Sequence, residues 1–272
     1  MQVLPKTLDE LYAGEHIESL FPGGFINFGY YDGIDISSID WEARIRSQEN
    51  LYNQIISQID LRADDSVLEV GIGYGGGPAW VARNNPLSKI VGIDIFEKHI
   101  KAAQRNFQHE LETYPYLSYQ QAVAENIPFA DNTFNKIYTI EAFQHFVDQK
   151  KFIGEAFRTL KPGGKLGISS FFLNKPQSLA QAAELLPKIA LVPRETEHQK
   201  DDKHESLITV GQLVEELEAA DFYDICVKNI GSHVWLGYDK WVAKTLVPWN
   251  HGWLKAYEQG LLDYYIITVI KK

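Results

Sequence analysis

Val67-Leu68-Glu69-Val70-Gly71-Ile72-Gly73-Tyr74-Gly75 decides the fold. Val67 to Val70 is a short, β-branched apolar run, the pattern of a strand buried on both faces. Glycines at alternate positions follow it. They permit backbone angles that other residues resist, and they let a ligand approach the main chain where a strand turns into a helix. Asp94 comes nineteen residues after Gly75, at the end of a second apolar run over 89–95. An acid there can accept both hydroxyls of an adenosine ribose, as in nucleotide-binding βαβ units. Three readings stay open at this point. Gly71-x-Gly73-x-x-Gly76 also satisfies the dinucleotide fingerprint, so a nicotinamide oxidoreductase is one, and a tight turn that binds nothing is another.

Outward from this motif, periodicity predicts further strands over 116–122, 134–140, 165–172, 224–230 and 263–270. It predicts helices over 41–60, 76–84, 97–112, 148–160 and 209–222. Strands alternating with helices of this length imply an α/β fold around a mostly parallel, Rossmann-like sheet with right-handed crossovers. We expect one domain over 1–272, with an N-terminal entry segment (1–60) and two insertions, about 174–208 and 231–262, near the ligand edge. The insertions hold Trp235, Trp241, Trp249 and Trp253, which suggests a helical, aromatic cap over the substrate or a plain packing layer.

The 272 residues carry 26 Lys+Arg against 36 Asp+Glu, a formal net charge of −10, which disfavours binding to a phosphate backbone. A composition of 45% hydrophobic and 23% charged residues is that of a globular domain. One cysteine, Cys226, excludes an intrachain disulfide and a Cys-rich metal site. With no leader-like N-terminus and no run long enough to span a bilayer, the expected setting is the cytoplasm. The chain shows no internal repeat.

The matches along the chain resemble the class I S-adenosylmethionine-dependent methyltransferases, in the small-molecule branch with sterol-, tocopherol- and sugar-O-methyltransferase-like sequences. Val67 to Gly75 resembles the family's first motif, and Asp94 its ribose-binding acid. Ile127-Pro128-Phe129 with Asn132-x-Phe134 resembles the stretch before the fourth strand. Glu141-Ala142-Phe143-Gln144-His145 resembles the segment after it, and Leu160-Lys161-Pro162-Gly163-Gly164-Lys165 the turn before the fifth. The resemblance implies a seven-stranded sheet whose last strand, Tyr264 to Ile270, is antiparallel. It implies S-adenosyl-L-methionine as cofactor, held by Tyr30, Gly71, Gly73, Gly75, Asp94, Ile95, Ala124, Glu125 and Glu141. Two positions depart from the family pattern. Val123 stands where an Asp usually meets the adenine amino group, leaving Glu125 or Asn126 to take over. Asn135 stands where an Asp is usual and is expected to be structural.

Methyl transfer to a hydroxyl needs a base, and His145, just beyond the fourth strand, is the candidate. The alternative is a histidine that caps or packs the next helix. Glu141 is expected near the methionine moiety or in support of the loop. Tyr30, in Phe28-Gly29-Tyr30-Tyr31, is expected to face the sulfonium through cation–π attraction. His233, in the cap, reads as structural. His198 and His204 with Asp201 and Asp202 read as a solvated loop, so no metal is expected. The expected function is methylation of a small, hydrophobic, hydroxyl-bearing metabolite. C- or N-methylation, a non-catalytic cofactor-binding protein and a nicotinamide oxidoreductase remain as alternatives, and a homodimer is left open.

Overall fold

The computed structural model describes residues 20–186, 207–245 and 250–272. Among them seven strands form one sheet: β1 (Ser66–Val70), β2 (Lys89–Asp94), β3 (Leu117–Gln121), β4 (Phe134–Ile140), β5 (Leu160–Leu173), β6 (Phe222–Asn229) and β7 (Leu262–Lys271). Their order is β3-β2-β1-β4-β5-β7-β6. Strands β1 to β5 pair in parallel, and β7 pairs antiparallel with both β5 and β6. β6 therefore runs with the first five strands, and the carboxyl ends of all six lie along one edge. The chain order reverses at β1, which has β2 on one side and β4 on the other, so a ligand crevice is expected beyond the ends of β1, β2 and β4.

Helices cover both faces: α1 (Trp41–Gln58), α2 (Gly76–Asn84), α3 (Glu97–Asn106), α4 (Gln108–Thr113), α5 (Gln149–Thr159), α6 (Ser178–Leu185), α7 (Val210–Ala219), α8 (Trp235–Thr245) and α9 (Gly252–Glu258). Three starts are capped by side chains. Asp40 accepts from the N–H of Ala43, Asp148 from that of Lys151, and Thr209 forms a capping box with Gln212. β1 alternates between two cores. Val67 faces the core shared with α1 and α2, whereas Leu68 and Val70 face the one shared with α5 and α7. The helix expected over 97–112 is two, because Phe107 leaves helical angles (φ −120°, ψ 33°) and its ring packs against Gly24. The turn expected at Leu160–Lys165 is a bulge inside β5, with register shifting between Phe134↔Leu160 and Lys136↔Lys165. Asn135 has the structural role expected of it, accepting from Ser66 N–H and Lys161 Nζ, both at 3.0 Å.

The Trp-rich insertion is a packing layer where it is described. Trp235 is fully buried, stacked on Trp253 at 5.7 Å and tilted against Phe28 at 5.7 Å and Tyr264 at 5.9 Å. Trp241 Nε1 donates to the Leu20 carbonyl. Residues 20–31 are thus the floor on which α8 and α9 rest, and α8 leaves from the end of β6 at the ligand edge. Trp249, like His198, Asp201, Asp202 and His204, lies outside the described residues. Truncation of Trp235 leaves a large void in this layer. Trp235→Ala should lower the unfolding free energy by about 3–5 kcal/mol, read from urea denaturation.

Candidate active site

A cleft with about 800 Å³ of empty space up to its open mouth lies beyond the ends of β1, β2 and β4. Its lining includes Gly71, Gly73, Asp94, Ile95, Ala124, Glu125, Glu141 and His145, so eight of the ten residues expected from sequence come together. Gly71 (φ 82°) and Gly73 (φ 54°) take left-handed angles. The packing also demands them, since a Cβ on Gly71 would collide with Ala142 and one on Gly73 with Ile26. The turn after β1 is closed by Asp94. Its Oδ2 accepts from Gly73 N–H at 2.9 Å, and its Oδ1 accepts from Phe96 N–H at 3.0 Å and faces His99 Nδ1 at 3.0 Å.

The other two expected residues lie elsewhere. Gly75 is behind the turn, its carbonyl accepting from Tyr119 OH at 2.8 Å. Tyr30 is buried outside the lining, with its ring 4.9 Å from that of His233. The entry segment does close the cleft, through different residues. Ile26 lies on Gly73 and lines the cavity, and Phe28 N–H donates to Glu141 Oε1 at 2.6 Å. Tyr30 is turned away because its N–H bonds to the Ser47 carbonyl, while Tyr31 N–H bonds to the His233 carbonyl. His233 is exposed on the outer side, 3.8 Å from Asp32.

Two residues that sequence reasoning missed organise this region. Arg44 of α1 is completely buried, and among the described residues no carboxylate pairs with it. Its guanidinium donates to the carbonyls of Leu20, Asn27 and Phe28, to Tyr31 OH and to Ser47 Oγ. Tyr52, also on α1, lines the cleft and donates to Glu69 Oε1 at 2.7 Å, while Tyr138 OH donates to Oε2 at 2.8 Å. The polar residues of α1 were the available signal, which a scan for apolar positions passes over.

Beyond β4, residues 143–145 form a single 3₁₀ turn carrying His145 onto the cleft. Glu125 secures this loop, its Oε1 accepting from the N–H groups of Val147 (2.8 Å) and Asp148 (3.2 Å). Val123 and Asn126 do not line the cleft and pair in an isolated antiparallel bridge, which brings Ala124 and Glu125 to the wall. The donor set fits an adenosine-like ligand. It offers one carboxylate beside a glycine turn and apolar walls from Ile72, Ile95 and Phe96. Burial pushes the Glu141 carboxyl up to about 8, against the opposing pull of Phe28 N–H, Tyr264 OH and Arg44. It pushes Glu69 up to about 7, against its two tyrosine donors.

Residues 68–168 match the family model described as "Methyltransferase domain". An erythromycin 3''-O-methyltransferase of Saccharopolyspora erythraea is 27% identical over 256 residues, which cover 86% of this chain and 74% of that protein. A phthiotriol/phenolphthiotriol dimycocerosates methyltransferase of Mycobacterium tuberculosis is 32% identical over 142 residues, covering 52% of this chain and only 50% of that protein. Among solved structures, a geranyl diphosphate C-methyltransferase from Streptomyces coelicolor A3(2) superposes with a TM-score of 0.76 at 13% identity, covering 97% of this chain and 96% of that one. The [4+2]-cyclase SpnF superposes with a TM-score of 0.71 at 20% identity, covering 94% and 91%. Residues 68–168 are thus a methyltransferase domain of the kind found in small-molecule enzymes, with S-adenosylmethionine as the cofactor.

The buried Glu69 makes stability depend on pH with a definite sign. Its folded-state pKa lies above its unfolded value, so the folded chain keeps a proton that the unfolded chain loses. Stability should fall as pH rises from about 5 to about 8. In Glu69→Gln that fall should be shallower, measured as melting temperature across this range for both proteins.

Proposed function

We propose that the protein methylates a hydroxyl of a small hydrophobic metabolite, with His145 as the general base. The observation that carries this reading is the single cleft shared by the glycine turn, Asp94 and His145. Asp94 is the residue to hold the ribose hydroxyls, because Oδ2 has spent one acceptor position on Gly73 and keeps another. Ala124 and Glu125 are the residues to meet the adenine in place of the missing acid at Val123. When bound, S-adenosylmethionine supplies an electrophilic methyl group on a sulfonium that leaves as a neutral thioether.

What this chain adds is alignment and a place for a proton. Gly71, Gly73 and the entry segment define the space from three sides, and holding two reactants in line lowers a bimolecular barrier substantially. His145 Nδ1 is sealed from solvent, so a hydroxyl proton would pass to Nε2. The 3₁₀ turn and the Glu125 clamp fix the ring's position relative to β4. The apolar nature of the acceptor rests on Ile26, Ile140, Phe146 and Val147 in the cleft wall, since the described tryptophans of the insertion are spent on packing. The erythromycin enzyme's O-methylation supports an oxygen acceptor over carbon or nitrogen. The net charge of −10 supports action without nucleic acid, and among the described residues no helix is long and apolar enough to cross a membrane.

A screen of hydrophobic alcohols and phenols, scored by release of S-adenosylhomocysteine, tests the reading. With an accepted substrate, His145→Ala should lower turnover by about a hundredfold or more. Its affinity for S-adenosylhomocysteine in calorimetry should stay within about threefold of the parent's. Unchanged turnover would remove the base and favour an amine or carbon acceptor. Asp94→Asn should weaken S-adenosylhomocysteine binding by about tenfold or more, as loss of a charge-assisted hydrogen bond predicts.

A further inference from the structure

Glu141 differs from the other acids of the cleft. It is the first residue after β4, takes a left-handed backbone angle (φ 51°) rare for a side chain of its kind, and lines the cavity. Asp94 accepts two backbone N–H donors and faces His99, and Glu125 accepts two backbone N–H donors. Glu141 receives one backbone N–H, from Phe28, and one phenol, from Tyr264 at 2.9 Å, both on Oε1. Among the described residues no donor reaches Oε2. The nearby cation is Arg44, whose hydrogen bonds go to carbonyls and hydroxyls and not to Glu141. The other titratable groups around it are the phenols of Tyr31 on the entry segment, Tyr52 on α1 and Tyr264 on β7, all raised by burial, and His145 along the cleft wall. A carboxyl in such a place, with its own value near 8, holds its proton at neutral pH.

Resting on the cofactor reading above, we propose that Glu141 releases its proton to solvent when the cationic methyl donor occupies the cleft, and so makes the cleft prefer the donor over its uncharged-sulfur product. The carboxylic acid becomes a carboxylate, the proton passes to buffer, and no other bond changes. S-adenosylmethionine and S-adenosylhomocysteine share an amino-acid tail and an adenosine, and differ in the methyl group and the positive charge on sulfur. An ionisable group that responds to that charge couples donor affinity to proton release, and the coupling is reciprocal. Glu141 is then a specificity-determining residue for the donor, distinct from the base at His145. Its two bonds to Phe28 and Tyr264 keep the entry segment and β7 in register with it in either charge state, since Oε1 accepts in both.

The test is calorimetric titration of the full chain with each of the two ligands at pH 7, in two buffers of different ionisation enthalpy. S-adenosylmethionine should release close to one proton more than S-adenosylhomocysteine. The difference should vanish at about pH 9.5, where Glu141 is already ionised. In Glu141→Gln it should vanish at pH 7 as well, and the affinity ratio of donor to product should fall by about tenfold, the factor expected at pH 7 when the group moves from about one unit above that pH to about one unit below it. Equal proton release by the two ligands in the parent protein would overturn the proposal with the cofactor reading intact, and so would an unchanged affinity ratio in Glu141→Gln. Binding of neither ligand would overturn both. The parent protein's pH series decides the matter even if the variant does not fold.

Discussion

The structure depends on how closely three pieces of main chain meet at the turn after β1. Gly73 N–H bonds to Asp94 at the end of β2, and Gly76 at the start of α2 lies against the backbone of Gly24. Ile26 covers Gly73 from above, and Ala142, beyond β4, fills the space a side chain on Gly71 would need. Close backbone approach of this kind leaves the shape of the cleft to rigid main chain and not to rotamers. Every other part of the site is placed relative to that junction. β4 brings Glu141 and His145, β3 is followed by Ala124 and Glu125, and the entry segment brings Ile26 and Phe28.

Around this junction the protein gathers hydroxyls and buried charges in an unusual balance. Glu69 sits between Tyr52 and Tyr138, and Glu141 is bonded to Tyr264. Arg44 sits among carbonyls with Phe21 and Tyr238 rings beside it. Burial without an opposite partner favours the neutral form of an acid, and in both glutamates this wins over the hydrogen bonds that favour the anion. A guanidinium cannot shed its proton in the same way, so its environment must supply acceptors, and five surround Arg44.

The strands were legible because β1, β2 and β4 are buried on both faces and read as continuous β-branched runs. The glycine spacing and Asp94 were legible because a turn geometry and a carboxylate leave fixed residue types at fixed distances. Other features left no such trace. The buried face of α1 includes Arg44, Ser47 and Gln48 beside Leu51, Tyr52 and Ile55, and a search for apolar periodicity passes over the polar ones. In the entry segment, Tyr30 and Phe28 are both aromatic and two residues apart, and the choice between them depends on long-range bonds to Ser47 and Glu141. Whether a tryptophan packs or faces a ligand likewise depends on partners distant in sequence, as Trp235 with Phe28 and Asp263 illustrates. The shared fold with a cyclase shows in addition that the sheet and the cleft do not by themselves name a reaction.

The guanidinium of Arg44 ties residues 20–31 to α1 through the carbonyls of Leu20, Asn27 and Phe28 and the hydroxyl of Tyr31. The opening segment and the first helix are therefore inherited together. A recombination boundary placed between them would strand a charge in the interior and unroof the cavity. A boundary placed after α1, in the loop before β1, keeps both intact, so arm and helix move as one module.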